Sequence, residues 1–139
     1  MPLLFIPAIQ QITHRVGLSI AALPGLDVSQ GEAHILAHLA DHGESTIAEL
    51  HRALAHKRST LTSILDRLAG HRWIVRRVSE TDRRSFAIAL TPTGKVRARK
   101  VLRHLESIER EMENTLTREE SRQFGELLAR LADPHVGVV

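Results

Sequence analysis

The 139-residue chain contains no cysteine, and it has no long uninterrupted apolar stretch. The absence of cysteine excludes disulfides, thiolate nucleophiles and cysteine-based redox sensing, and it is compatible with a reducing compartment. No apolar run approaches the roughly 18 residues that a transmembrane helix needs. The apolar residues 1–7 carry no basic residue and are interrupted by Pro7, unlike a secretory signal. We therefore expect a cytoplasmic protein with no membrane partner.

Patterns that accompany common enzyme chemistry are also missing. The sequence has no glycine-rich phosphate-binding loop, no HExxH motif and no pair of carboxylates enclosed by apolar residues. Ser59 and Thr60 lie near Lys57, but hydroxyls beside a lysine on an open helix do not form an active site. The sequence therefore predicts no catalytic residue and no cofactor.

Charge is unevenly distributed along the chain. The formal net charge is only +3, but residues 57–104 hold 13 Lys/Arg against three Asp/Glu, which is +10. The remaining residues hold 6 Lys/Arg against 13 Asp/Glu, which is −7. A basic middle between acidic ends indicates a polyanion-binding face. A merely solvated charged surface is the alternative, but it would not usually separate the signs in this way.

The first half of the chain predicts three helices. Apolar residues recur every three or four positions over 8–23, with Pro7 suited to the first turn of that helix. The pattern Ser29-Gln30-Gly31-Glu32 is a capping box that opens a second helix, which ends at Gly43. A second capping box, Thr46-Ile47-Ala48-Glu49, opens a short helix through about Ala53.

The next helix, from Arg58 to about His71, is a candidate recognition helix. Its apolar face consists of Leu61, Ile64, Leu65 and Leu68. Its opposite face carries Ser59, Thr62, Ser63 and Asp66, with Thr60 and Arg67 at the flanks. Small hydroxyls edged by cations suit close approach to base edges and phosphates. A plain amphipathic surface helix is the alternative interpretation.

A β-hairpin follows the candidate recognition helix. Residues 74–78 and 86–90 have strand composition, and the alternation places Phe86, Ile88 and Leu90 inward. The tip, residues 79–84, is too polar to be buried. Arg83 and Arg84 could reach phosphates or a narrow minor groove, and Asp82 could hold Arg84 in a productive rotamer. Two short helices followed by a basic hairpin predict a winged helix-turn-helix.

The C-terminal third predicts two further helices. Thr91-Pro92 opens a long helix with a cationic start and a heptad-like apolar seam through about Thr115. A third capping box at residues 117–120 opens the last helix, which ends at Pro134. We expect Phe124, Leu127, Leu128 and Leu131 to point inward. A long helix with an apolar seam favours contact with a partner, and packing within one chain is the alternative.

The ordered set of motifs resembles the MarR family of multiple-antibiotic-resistance-type regulators over about residues 26–132. The matching stretches are Leu26-Asp27-Val28-Ser29-Gln30, Ser59-Thr60-Leu61-Thr62, Leu65-Asp66-Arg67-Leu68, Asp82-Arg83-Arg84 and Leu90-Thr91-Pro92-Thr93-Gly94-Lys95. The chain departs from the family pattern just before Trp73, where the family often has glycine and this chain has Arg72. That departure leaves the end of the recognition helix undefined. The N-terminal segment is also short, which would abbreviate the dimer layer.

The resemblance implies a mainly α fold with a small β-hairpin wing: a winged helix-turn-helix with a helical dimerisation layer. It implies one domain, 1–139, with a DNA-binding lobe at 29–91 and a dimerisation region at 1–24 and 92–133. Together with the residue patterns, it predicts DNA contacts by Lys57, Arg58, Ser59, Thr60, Thr62, Ser63, Arg67, Arg83 and Arg84, with Asp82 stabilising the wing. Members of the family usually repress transcription as homodimers on pseudo-palindromic double-stranded DNA. They often release DNA when a small aromatic effector binds between the layers.

Two alternatives remain open on the sequence. A winged-helix protein-interaction module would not bind DNA, although the charge of 57–104 argues against it. A zinc-responsive regulator could use His34, His38 and His42, which form one stripe on a helix. We expect this stripe to face solvent and to bind no metal, because the buried Leu36, Leu39 and Ala40 lie elsewhere on the helix.

Overall fold

A computed structural model of the chain describes residues 2–54, 57–79, 84, 86–133 and 135. Within these residues the order of elements is α1 (Ile6–Ala21), α2 (Gln30–His42), β1 (Ser45–Thr46), α3 (Ile47–Leu54), α4 (Arg58–Gly70), β2 (Ile74–Val78), β3 (Phe86–Leu90), α5 (Pro92–Thr115) and α6 (Arg118–Ala132). Residue contacts divide the chain into two units, Met1–His104 and Leu105–Val139, and α5 runs through their boundary. The predicted mainly α fold with a small β wing is confirmed.

Local capping explains where several helices begin. In α3, Thr46 Oγ1 accepts a hydrogen bond from Glu49 N, and Glu49 Oε2 accepts one from Thr46 N, both at 3.1 Å. The capping box of α6 forms in the same reciprocal way between Thr117 and Glu120. α1 begins two residues earlier than predicted, at Ile6, with a proline in its first turn. Both reciprocal boxes were predicted from a spacing of three residues.

The predicted capping box of α2 is only half formed. Ser29 Oγ accepts a hydrogen bond from Glu32 N at 3.2 Å, as expected for an N-cap. The Glu32 side chain does not return to the backbone of Ser29, because its carboxylate binds Arg67 of α4. A long-range ion pair thus replaces the second local hydrogen bond. At the other end, Gly43 has φ +82° and terminates α2 as predicted.

The core of the first unit lies between α2, α3, α4 and the sheet. Its buried side chains are Ile35, Leu36, Leu39, Leu50, Leu61, Ile64, Leu65, Leu68, Ile74, Ile88 and Ala98. The four apolar residues predicted for the buried face of α4 are all in this cluster. Since each buried Leu or Ile side chain contributes about 1.5–3 kcal/mol, the cluster fixes α4 against α2 with its other face outward.

Within the described residues the sheet has three strands in the order β1-β3-β2, rather than the two predicted. The additional strand β1 pairs antiparallel with β3, with Ser45 opposite Ile88. A two-residue strand leaves too short a pattern for alternation to reveal it. β1 thereby ties the start of α3 to the hairpin.

The predicted inward orientation of Phe86 is wrong. Phe86 pairs with Val78 at the end of the hairpin next to its tip, and the two residues are 53% and 57% exposed. Ala87, Ile88 and Ala89 are instead buried in succession. Because successive strand residues point to opposite faces, both faces are covered in the middle of β3 but not at its first residue.

The prediction that the apolar face of α6 points inward is also wrong. Phe124, Leu127, Leu128 and Leu131 are between 41% and 55% exposed. They lie on one side of the helix, so α6 is amphipathic as predicted, but the described residues of its own chain leave that side uncovered. The predicted end of this helix at Pro134 lies outside the described residues, and α6 ends at Ala132. None of the described helices is both long enough and apolar enough to cross a bilayer.

Candidate nucleic-acid interface

α4 exposes its hydroxyl-bearing face because its apolar face is held in the core. Ser59, Thr60 and Ser63 are all exposed. Thr62 is exposed too, and its Oγ1 donates to the carbonyl oxygen of Arg58 at 3.0 Å. That bond uses the hydroxyl proton of Thr62 within the helix and leaves its oxygen as an acceptor. The face therefore offers three hydroxyl donors and a fourth hydroxyl that can only accept.

Cations flank this face at the start of α4. Lys57 is the N-cap residue in an extended conformation, and Arg58 is the first helical residue. Both side chains are exposed. They lie at the helix N-terminus, where free backbone N–H groups also favour an anion. This end of α4 is suited to a phosphate group.

An ion pair that the sequence did not predict joins α4 to the wing. Arg76 Nη2 of β2 donates to Asp66 Oδ1 of α4 at 2.7 Å, and both side chains are well exposed. Asp66 was predicted only as part of the polar face. Its charge is neutralised by Arg76, which reduces the repulsion that a carboxylate would impose on a phosphate. The sequence held no signal for this pair, because it depends on the packing of β2 against α4.

A second ion pair joins α4 to α2. Arg67 Nε donates to Glu32 Oε1 at 2.9 Å, and the two side chains are 52% and 7% exposed. Arg67 was predicted as a DNA contact, and the structure places it on the exposed flank of α4 with one edge of its guanidinium turned to α2. Glu32 was predicted only as a capping residue.

The wing is described in its strands and only in part at its tip. β2 and β3 pair antiparallel from Ile74 opposite Leu90 to Val78 opposite Phe86. Arg84 is described, lies in a turn and is exposed. Arg83 and Asp82 lie outside the described residues, so their predicted roles remain predictions.

The junction between α4, β2 and α5 has an unusual backbone. Arg72 has φ +63°, a left-handed conformation that glycine adopts without strain and arginine does not. The glycine that the family resemblance led us to expect here would suit this conformation, and α4 ends at Gly70. Thr91 Oγ1 donates to Arg72 O at 2.7 Å and accepts from Gly94 N at 2.9 Å. These bonds join the start of α5 to the end of α4.

Comparison with known proteins identifies the family. The family model described as "MarR family" matches residues 25–85. The HTH-type transcriptional repressor MdtR of Bacillus subtilis (strain 168) is 30% identical over 105 residues, which cover 76% of this chain and 68% of MdtR. This chain belongs to the MarR family. It is a DNA-binding transcriptional regulator of the winged-helix type.

Solved structures agree with the MarR fold. The chain is similar to Staphylococcus aureus MepR in its DNA-binding conformation, with a TM-score of 0.85, 22% identity, and coverage of 93% of this chain and 96% of MepR. It is similar to MepR in a DNA complex, with a TM-score of 0.77, 22% identity and coverage of 94% and 96%. A probable transcriptional regulator from Pseudomonas aeruginosa gives a TM-score of 0.70 at 25% identity, with coverage of 91% and 96%.

This MarR-family chain has a polar pocket of about 350 Å³ in its first unit. The pocket is lined by Gly25, Leu26, Asp27, Ser29, Glu32, His71, Trp73 and Arg97. The Arg97 guanidinium lies 5.8 Å from the centroid of the Trp73 ring and donates to Gly25 O at 3.2 Å. The His71 ring stacks on the Trp73 ring with centroids 4.6 Å apart. The pocket therefore combines an aromatic surface with groups of both charges.

The histidine stripe of this MarR-family protein is less exposed than predicted. His34 and His38 are half-buried, and only His42 is exposed. The rings of His38 and His42 stack with centroids 4.2 Å apart. Burial, and then the neighbouring His42, lower the pKa of His38 below its usual value, against an opposing effect of Asp41. Among the described residues, no three His, Asp or Glu side chains are placed to hold a metal ion together.

Proposed function

We propose that the chain is a transcriptional repressor that binds a pseudo-palindromic operator as a homodimer. The observation that carries this proposal is the outward face of α4, where Ser59, Thr60 and Ser63 are exposed opposite a fully buried apolar stripe. Hydroxyl groups on a helix that fits the major groove can bond to base edges. The name of the relative MdtR supports repression.

Phosphate contacts would supply most of the affinity in this mechanism. Lys57 and Arg58 lie at the exposed start of α4, and residues 57–104 carry a formal charge of +10. Lys and Arg that neutralise phosphates release counterions, so binding falls steeply with salt. The hydroxyls of α4 would then supply sequence preference. We also propose a cytoplasmic location, because a transcriptional regulator must be in the same compartment as the DNA that it binds.

The wing would add a contact in the minor groove through Arg84. The hairpin register pairs the two strands as far as Val78 and Phe86, and Arg84 lies in the turn between them and is exposed. In this proposal Arg83 assists at the phosphates and Asp82 steadies Arg84. Replacing Arg84 by alanine should weaken binding without affecting the core, because Arg84 is exposed.

A homodimer would cover the apolar side chains that the single chain leaves exposed. On α1 and just before it these are Leu3, Leu4, Phe5, Ile6, Ile9 and Ile12, and on α6 they are Phe124, Leu127, Leu128 and Leu131. Monomeric proteins rarely expose so many large apolar residues on amphipathic helices. Two recognition helices related by a two-fold axis would meet half-sites about one helical turn, or roughly 34–36 Å, apart.

A small aromatic effector would find a site in the pocket beside Trp73. The ring of Trp73 offers a stacking surface, and Arg97 offers a cation for an acidic substituent. His71, which follows the last residue of α4, also lines this pocket. A ligand there would contact His71 at the end of α4, and by shifting that end it would release DNA.

The DNA-binding part is tested by fluorescence anisotropy on labelled duplex from upstream of the protein's own coding region. Saturable binding, much tighter than to a scrambled duplex and strongly salt-dependent, is expected. The variant Arg84→Ala should bind more weakly with unchanged thermal stability. Arg118→Ala, which removes an exposed arginine from the start of α6, is the matched control. Equal affinity of the Arg84 variant and the control would remove the wing from the mechanism.

The dimer is tested by sedimentation velocity of two variants of α6. Leu128→Glu places a carboxylate on the exposed apolar side, and Ala129→Glu places one on the polar side of the same helix. We expect only Leu128→Glu to sediment as a monomer and to lose tight operator binding. A wild-type chain that sediments as a monomer at micromolar concentration would contradict the proposed dimer.

A further inference from the structure

Glu32 is a nearly buried carboxylate in the first unit of the chain. It lies in the first turn of α2, and only 7% of its side chain is exposed. Ser29 caps the backbone N–H of Glu32, which fixes the position of this residue at the helix start. A buried carboxylate is costly unless it is paired, and the partner of Glu32 is Arg67.

Arg67 is bound to Glu32 by only one edge of its guanidinium. The bond runs from Nε to Glu32 Oε1 at 2.9 Å, while 52% of the arginine side chain is exposed. Among the described residues no acceptor is bonded to Nη1 or Nη2 of Arg67. A guanidinium can bind two anions at once, because its Nη1–Nη2 edge and its Nε side point in different directions. The free edge has the geometry that bidentate phosphate contacts use.

Arg67 lies on the exposed flank of α4, next to the face that carries the hydroxyl groups. Arg67 lies one turn after Ser63 on the exposed side, while Leu68 beside it is buried. A free arginine side chain at this position would lose much rotamer freedom on binding a phosphate. An arginine already held by a fixed carboxylate loses less.

We propose that Glu32 is a positioning residue for DNA binding: it holds Arg67 by Nε so that the Nη1–Nη2 edge is presented to a backbone phosphate. This inference rests on the proposed DNA-binding role of α4. Glu32 touches no DNA itself and acts through Arg67. Glu32 also lines the pocket beside Trp73, so in this proposal a single residue connects that pocket to the DNA contact of Arg67.

The first test is Glu32→Gln, measured by anisotropy on the upstream duplex. The change raises the net charge by one, which by itself would strengthen binding to a polyanion. We expect instead a weakening of about threefold to tenfold, since one immobilised side chain is worth about that factor. The control Glu119→Gln makes the same charge change at an exposed ion pair with Arg122 on α6, and it should not weaken binding. Affinity of Glu32→Gln equal to or above wild type overturns the proposal.

The second test separates positioning from stabilisation of the fold. In an Arg67→Met background, Glu32→Gln should cause no further loss, because Glu32 acts only through Arg67. Arg67→Met should also lower the slope of log K against log salt by about 0.9, the value for one phosphate contact. An undiminished effect of Glu32→Gln in that background, or an unchanged salt slope for Arg67→Met, overturns the proposal.

Arg67→Lys keeps the proposal testable if Glu32→Gln does not fold. Lysine retains the charge but has no planar fork, so it cannot bind Glu32 through Nε while a separate pair of N–H groups binds a phosphate. We expect binding to weaken by about threefold to tenfold with the salt slope retained. Wild-type affinity of this variant contradicts the role of Glu32. A wild-type chain that binds no duplex overturns the proposed function and this role with it, whereas normal wild-type binding with insensitive variants overturns only the role of Glu32.

Discussion

Gly94→Ala should destabilise the protein strongly, although the substitution adds one methyl group at the start of a helix. A Cβ at this position would lie 1.8 Å from the carbonyl oxygen of Trp73, whereas real Cβ atoms essentially never approach within 3.0 Å. The first turn of α5 would therefore have to move by at least 1.2 Å. The obstacle is backbone, which cannot rotate away as a flexible side chain would.

The cost follows from the bonds at this junction. Thr91 N donates to Trp73 O at 2.9 Å, and Thr91 Oγ1 bonds to Arg72 O and Gly94 N. A shift of this size would break one or two of these bonds, at about 1 kcal/mol each. Overpacking adds about 1–3 kcal/mol. We expect the free energy of unfolding to fall by about 2–5 kcal/mol in total.

Urea denaturation followed by circular dichroism measures this loss. The control is Gly70→Ala at the last residue of α4, where an added Cβ meets nothing within 4 Å. Alanine is the better helix former, so the control should be as stable as wild type or more stable by up to about 1 kcal/mol. Equal stability of the Gly94 variant and the control would refute the close approach of α5 to Trp73.

Three further predictions concern other positions. Arg72→Gly should raise the free energy of unfolding by about 1 kcal/mol, because glycine adopts φ +63° without backbone strain. Arg72→Ala should not raise it. Equal effects of the two substitutions in urea titrations would exclude backbone strain at this position. Asp66→Asn should change that free energy by less than about 1 kcal/mol, since its ion pair with Arg76 is exposed, and a loss above about 2 kcal/mol would contradict this assignment. Folding lowers the pKa of His38, so as the pH falls the unfolded chain takes up a proton at this residue at a higher pH than the folded chain does. Proton binding then favours the unfolded chain, and stability should decrease as pH falls below about 6.5. In melting curves between pH 5 and 8, roughly the range in which histidine titrates, His38→Gln should reduce this dependence and the exposed His135→Gln should not.

Interactions within one helical turn could be predicted from the sequence because the spacing alone brings the groups together. Thr46 and Glu49 are three residues apart, so any helix that begins there places each side chain beside the other's backbone N–H. The buried stripe of α4 follows from the 3.6-residue period in the same way. The outward face of α4, and with it the candidate recognition surface, was thus determined locally.

Only the tertiary structure decided which distant groups meet. Glu32 had a plausible local role as the second half of a capping box, but Arg67, 35 positions away, binds its carboxylate. The choice depends on how α2 packs against α4, and residue spacing carries no information about that. Asp66 and Arg76 pair for the same reason.

Burial likewise depended on what covers each element. Amphipathic periodicity identified one apolar side of α6, but it could not say whether the same chain would cover Leu128 and its neighbours. Phe86 obeys the strand alternation and is still exposed, because the other described residues do not cover the side chain at the first position of β3. The sequence by itself determined the helices, the two hairpin strands, the polar face of α4 and the excess of positive charge between residues 57 and 104. The fold decided which of those charged groups are held within the protein and which remain available to DNA, because that depends on contacts between elements that are far apart in the chain.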